Sequence, residues 1–337
     1  MGGATLSSSG SARQVKNLPG RKTDVSDAAW LAQLGAHGLV RASFVPEQPV
    51  RELRDLTRTR TQVTRERGQI VQRLEKLLED TGIKLAAVAS DIMGVSGRAM
   101  LEALIDGERD PQVLAEMAKR RLRNRIPELT EALTGRFREH HAFLARLYLD
   151  QYDQLSGIIR QLDGRIEEAM APFRPVLDLL DTIPGINQAV AEVIVAETGG
   201  DMSRFASAKH LASWAGVCPG HHESAGRSKN TKVRPGNPYL KGALGLAAFG
   251  AVRTKNTYLA ARYKRLTARR GPLRALVAVE HSIITAIWHM LTDNVAYQEL
   301  GGDYFTRRDP ERATRRAITQ LNQLGYTVTL NPRETAA

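Results

Sequence analysis

The sequence predicts a mainly α fold: a long helical coiled-coil hairpin set between a short N-terminal region and an α-helical C-terminal domain. Three observations carry this. Two stretches, 49–80 and about 128–170, repeat apolar residues at heptad-like spacing with Arg and Glu between them. Aromatic residues make up only 5% of the chain against an apolar total of 42%, which favours Leu/Ala helix interfaces over a β-sandwich. No convincing set of strands and no internal repeat is present.

The chain has 337 residues, enough for two or three domains. Its net charge of +12 points to polyanions: DNA, RNA or an anionic membrane surface. The membrane surface is the weakest of these, because the cations cluster in loops and helices of a packed domain. No apolar run reaches the length of a membrane span. The start, Met1 to Ser11, is rich in Gly and Ser without an apolar core, unlike a secretory signal. A single cysteine, Cys218, excludes an internal disulfide framework and a Cys-based zinc site, and fits a reducing cytoplasm.

Taken in order, residues 1–20 read as a flexible leader. A helix opens near Asp24, with Asp27 one turn on. The pair serves either as cap and dipole partner or, sharing a helix face, as two ligands of one Mg2+. Such a pair alone is an incomplete metal site. Over 49–80, Leu53, Leu56, Val63, Ile70, Leu74 and Leu77 form a stripe. A less regular middle follows, punctuated by Gly82, Gly94, Gly97 and Gly107, with helical pieces around 111–123. The second long helix, about Glu128 to Met170, carries Leu144, Leu147, Leu155, Ile159, Leu162, Ile166 and Met170. The two stripes form either a projecting coiled coil or an amphipathic core face.

Pro172 and Pro175 end that helix. Ile183-Pro184-Gly185-Ile186 then joins two short helices, either as a helix-hairpin-helix whose glycine turn offers N–H groups to a phosphate or as an ordinary αα turn. Helical pieces over 189–198 and 209–216 lead into the polar segment 219–238. This segment reads as a basic loop holding Ser224, a hydroxyl nucleophile candidate, followed by Arg227, Lys229, Lys232 and Arg234. It is either a solvated loop or a cradle for a phosphodiester beside an attacking oxygen. His221 and His222 diverge as neighbours and read as phosphate contacts or exposed residues rather than metal ligands. Asn237 caps and Pro238 opens a helix rich in Gly and Ala. Two helices follow, around 258–269 and 272–291, the first strongly basic, then a basic tail with a short strand near Thr327–Leu330.

Two separated stretches together resemble the DEDD-type insertion-sequence transposases, to which the pilin-gene invertases are related. The first is Lys22-Thr23-Asp24-Val25-Ser26-Asp27-Ala28. The second combines Ile183-Pro184-Gly185-Ile186, the run 208–216, Glu223-Ser224-Ala225-Gly226-Arg227 and Gly236-Asn237-Pro238-Tyr239-Leu240. The resemblance spans about residues 12–320. It implies the C-terminal remnant of an RNase H-like α/β domain over 21–48, a coiled-coil region over 49–171, a C-terminal transposase domain over 172–305 and a basic tail over 306–337. It makes Asp24 and Asp27 the last two acids of a four-acid Mg2+ site, and Ser224 the residue that links covalently to DNA. Lys22, Gly185, Arg227, Lys229, Lys232, Arg234 and Lys241 are then the nucleic-acid contacts. The implied partners are DNA, a structured guide RNA in some members, and further copies in a homodimer or homotetramer. No membrane is implied, and the expected location is the bacterial cytoplasm, in association with the nucleoid. The first two acids belong before Lys22, where this chain has its Gly/Ser leader, so it is expected to lack the front of that domain. The alternative is a catalytically incomplete DNA- or RNA-binding remnant that dimerises through its coiled coil.

Overall fold

The computed structural model describes residues 24–39, 46–219, 222–224, 227–230, 233 and 235–331. The described chain is mainly helical, with one short antiparallel pair of strands. The leader expected over 1–20 lies outside the described residues. The first helix, α1 (Asp24–Ala36), buries none of its residues.

The first heptad stretch is one helix, α2 (Gln48–Asp80), opened by a proline in its first turn. Leu53, Val63, Ile70, Leu74 and Leu77 are buried along it. The stripe is interrupted by Arg60 and Arg67. Arg60 donates to Asp163 at 3.0 Å and Arg67 to Ser156 at 3.4 Å. As one helix advances the other recedes, so α2 packs antiparallel to α7 (Glu139–Met170).

The second stretch is not one helix from residue 128. Its first part is α6 (Ile126–Ala132), and the chain leaves helical geometry before α7. The cause is docking onto the end of α2. A Cβ at Gly135 would stand 2.6 Å from the Ile83 side chain and 2.8 Å from the Thr81 carbonyl oxygen. The Arg136 N–H donates to that same oxygen at 2.7 Å, and the Lys84 N–H donates to the Ala132 oxygen at 2.8 Å. Between the long helices lie α3 (Leu85–Val88), α4 (Val95–Ile105) and α5 (Pro111–Glu116). With α6 they close an apolar core over the far end of the hairpin, around Leu78, Leu85, Met100, Leu114 and Leu129. Here α7 presents Ala142, Ala145 and Leu149, whereas Leu147 is 43% exposed.

The other end of the hairpin enters a second core. At its centre is α9 (Gln188–Thr198), buried without a break from Val190 to Thr198. Asn187 caps it by accepting from the Val190 N–H at 3.0 Å, and Gly199 ends it at φ +78°. Around it pack α8 (Arg174–Asp181), α10 (Ala208–Ala215), α11 (Pro238–Arg253) and α13 (Pro272–Asp293). Contrary to the sequence expectation, α13 is by length and composition apolar enough to cross a membrane. Its Val279, Ile283, Ile284 and Ile287 are fully buried in this core. The basic helix α12 (Tyr258–Arg270), then α14 (Tyr304–Arg308) and α15 (Pro310–Gln323), complete the chain. Among the described residues no strand forms over Thr327–Leu330, where one was expected.

The turn between α8 and α9 holds Gly185 at φ +91°, packed on α11. A Cβ there would stand 2.2 Å from the Ala247 oxygen and 2.3 Å from the Ala251 nitrogen. Gly250 answers it: a Cβ at Gly250 would stand 2.8 Å from the Gly185 Cα. Gly185→Ala is therefore expected to cost roughly 2–5 kcal/mol, from backbone strain and overpacking together. Gly242→Ala on α11, whose Cβ meets nothing within 4 Å, gains about 0.5–1 kcal/mol. Urea denaturation of the two variants checks both signs.

Candidate active site

The segment read as a basic loop contains a β-hairpin. α10 ends at Gly216, φ +75°, and Val217 is still buried in the core. Pro219 bridges Val233; then β1 (His222–Ser224) pairs antiparallel with β2 (Arg227–Asn230). His222 faces Asn230, Glu223 faces Ser228 and Ser224 faces Arg227. The step from His222 to Glu223 skips one residue on β2, leaving Lys229 as the extra residue of a bulge. Sequence patterning missed these strands because every position is polar, so no apolar alternation marks them.

Ser224 is thus the last paired residue of β1, and its cross-strand neighbour is a cationic residue, Arg227. The register places this pair, separated by two residues in sequence, at the far end of the hairpin. Lys22, Lys232 and Arg234 lie outside the described residues. Asp24 and Asp27 share the first turn of α1, but the described residues bring no group of three His, Cys, Asp or Glu together. Gly185 sits in the α8–α9 turn against α11, and that contact accounts for the glycine. Lys241, in the first turn of α11, lies beside Glu280 of α13. Burial pushes the Glu280 carboxyl above its ordinary value, and Lys241 pulls it back in part.

The base of the hairpin is fixed to the core at three points. A Cβ at Gly236 would stand 2.4 Å from the Gly216 nitrogen, so the two arms touch backbone to backbone. The Asn237 N–H donates to the Trp214 oxygen at 3.1 Å. The Asn237 side chain then works in both directions. Its Oδ1 accepts from the Tyr239 and Leu240 N–H groups, capping α11 as the sequence predicts, and its Nδ2 donates to Glu197 Oε2 at 2.6 Å.

Glu197 leads to residues that the sequence reading missed. Its side chain is fully buried on α9, and Arg58 of α2 grips it with both prongs, at 2.7 and 2.9 Å. Arg54, one turn earlier, donates to the Glu197 main-chain oxygen at 2.7 Å. Burial lowers the Arg54 pKa and Glu197 acts against that; the hydrogen bond that Arg58 donates to Glu197 raises that of Arg58. The Arg58 guanidinium also lies 4.7 Å from the centre of the Tyr239 ring. One and a half turns back on α9, Glu192 accepts from Arg60 at 2.6 Å. Two signals were available: arginines within the α2 stripe, and two glutamates within the otherwise apolar run 189–196 and its end.

Two family models match the chain. One, described as the transposase IS116/IS110/IS902 family, covers residues 177–264. The other, a transposase model of the DEDD IS110 type, covers residues 9–83. The insertion element IS900 uncharacterized 42 kDa protein of Mycobacterium paratuberculosis is 27% identical over 301 residues, 82% of this chain and 73% of that protein. The insertion element IS110 uncharacterized 43.6 kDa protein of Streptomyces coelicolor is 32% identical over 145 residues, 41% of this chain and 34% of that one. The pilin gene-inverting protein of Moraxella bovis is 42% identical over 79 residues, 22% of this chain and 24% of its own length.

Removing the Glu197 carboxylate leaves two guanidinium groups facing a buried gap. Glu197→Ala is expected to destabilise the fold by about 3–5 kcal/mol. Asn237→Ala, which loses a cap and one bond to Glu197, costs about 1–2 kcal/mol. Because the two residues share that bond, the double variant loses less than the sum. A double-mutant cycle by urea denaturation measures the difference.

Proposed function

We propose that this chain, whose matches support an IS110-type transposase family, cuts and rejoins DNA with Ser224 as the nucleophile. The observation that carries this is the hairpin: Ser224 pairs with Arg227 at the end of a basic β-ribbon whose base is fastened to a helical core. In the reaction the serine oxygen bonds to phosphorus, the P–O bond to one strand oxygen breaks, and that oxygen leaves with a proton. One phosphodiester is exchanged for another, so the strand is rejoined without an outside energy source. Arg227 and Lys229, with Lys232 and Arg234, hold the phosphate and oppose the negative charge that builds on it. Lys22, Lys241 and the turn at Gly185 are assigned to backbone contacts further along the DNA. The name of the Moraxella relative, a gene-inverting protein, supports strand exchange as the outcome.

Asp24 and Asp27 are two of the donors that a Mg2+ ion needs, and such an ion supplies Lewis-acid stabilisation of a leaving oxygen. Among the described residues no third His, Cys, Asp or Glu joins them. A guide RNA and assembly as a homodimer or homotetramer through the long helices are part of this reading, and they rest on the family resemblance. The second reading is a binding protein that grips nucleic acid without cutting it.

The deciding experiment offers the protein duplex DNA carrying the ends of its element, with Mg2+, and looks for adducts that survive detergent. Wild type forms them, and Ser224→Ala does not while still binding the duplex. Adducts persisting in Ser224→Ala rule out this nucleophile. Salt-sensitive binding with no adduct and no nicking by wild type establishes the second reading.

A further inference from the structure

Away from the hairpin, α12, α14 and α15 enclose a cleft of about 610 Å3 lined by Arg265, Phe305, Arg308, Arg312 and Arg316. Asp309 is the acid in its wall, and it is engaged as the cap of α15, accepting from the Arg312 N–H at 3.1 Å. The neighbouring Arg307 is likewise engaged, with Asp303 at 2.9 Å and the Leu300 oxygen at 2.7 Å. Among the described residues the side chains of Arg308, Arg312 and Arg316 form no ion pair or hydrogen bond. Arg312 and Arg316 stand one turn apart, an arrangement of like charges that weakens a helix by itself. Nor does packing explain them, since α15 buries none of its residues. From Arg253 to Arg316 the chain holds 13 Lys and Arg against 6 Asp and Glu. Uncompensated guanidinium groups from three helices, facing one concave surface, suit a run of phosphates.

Phe305 decides which nucleic acid fits. Unpaired strands are normally gripped by free aromatic faces on which bases stack. Phe305 is already stacked on Tyr258, with ring centres 5.5 Å apart, and the Arg265 guanidinium lies 4.7 Å from its centre. The cleft therefore offers charge without a stacking platform. We propose that it is a second, sequence-independent site for the phosphate backbone of duplex DNA, holding DNA that flanks the segment at the serine hairpin. The site needs no contribution from Ser224.

The test uses the full chain carrying Ser224→Ala, so that adduct chemistry plays no part, and a fluorescent duplex titrated between 50 and 200 mM salt. Each phosphate contact contributes about 0.9 to the slope of log K against log salt. Arg308→Gln/Arg312→Gln/Arg316→Gln is expected to flatten that slope by about 2.7 and to leave the thermal melt unchanged. The matching triple Lys variant keeps most of the slope and guards against a folding artefact. An unchanged slope in the Gln variant overturns the proposal. So does a loss confined to single-stranded RNA of the same length, or an equal loss in the Lys variant.

Discussion

The architecture depends on a set of charges placed where charges are expensive. Helix α9 is buried along nearly its whole length, yet it carries Glu192 and Glu197. Both are answered by arginines of α2: Arg60 for the first, Arg54 and Arg58 for the second. Taking such ions from water costs several kcal/mol each, and hydrophobic residues of similar shape would hold two helices together as well. What the ions add is position. A guanidinium fork bound through two hydrogen bonds tolerates little sliding or rotation. Arg60 also reaches Asp163 on α7, so one side chain sets the height of both long helices against the core.

That fixed height has consequences at both ends of the rod. Helix α2 has 33 residues, a length of about 50 Å. It carries one core near its base and another at its far end, and the described contacts of the far core run through the long helices and the short helices between them. At the near end the same glutamate that fixes α2 holds Asn237, where the serine hairpin rejoins the helical core. A shift of α2 along its axis would pull on Glu197 and so on the exit of the hairpin. The arrangement couples a long lever to the root of the ribbon through a single buried carboxylate.

Much of this was readable where the signal is local. The heptads of α2, the Pro-opened helix α11, its Asn237 cap and the glycine turn at 185 all stand where the sequence places them. The break ahead of α7 was not readable, because Gly135 is needed for contact with Thr81 and Ile83, some fifty residues earlier. For the same reason the buried face of α7 begins with Ala142 and Ala145 rather than the larger Leu144 and Leu147: the far core approaches closely there. The arginine–glutamate pairs show their oddity in the sequence but not their partners, which lie more than a hundred residues apart. The ribbon was invisible because its pairing is made by the main chain while its side chains are all polar.

The polar ribbon poses the sharpest physical question. A two-stranded hairpin by itself is marginal in water, and a nucleophile must be held to a fraction of an ångström to be effective. This ribbon has no apolar side chain over 222–224 and 227–230 with which to pack. Its order must come from its root, and the root is built accordingly: two glycines whose backbones meet, an N–H to Trp214, and a side chain shared between a helix cap and a buried acid. On the proposed function the ribbon is polar throughout because DNA completes it, and an apolar residue there would gain stability in the free protein at the expense of the surface proposed for DNA.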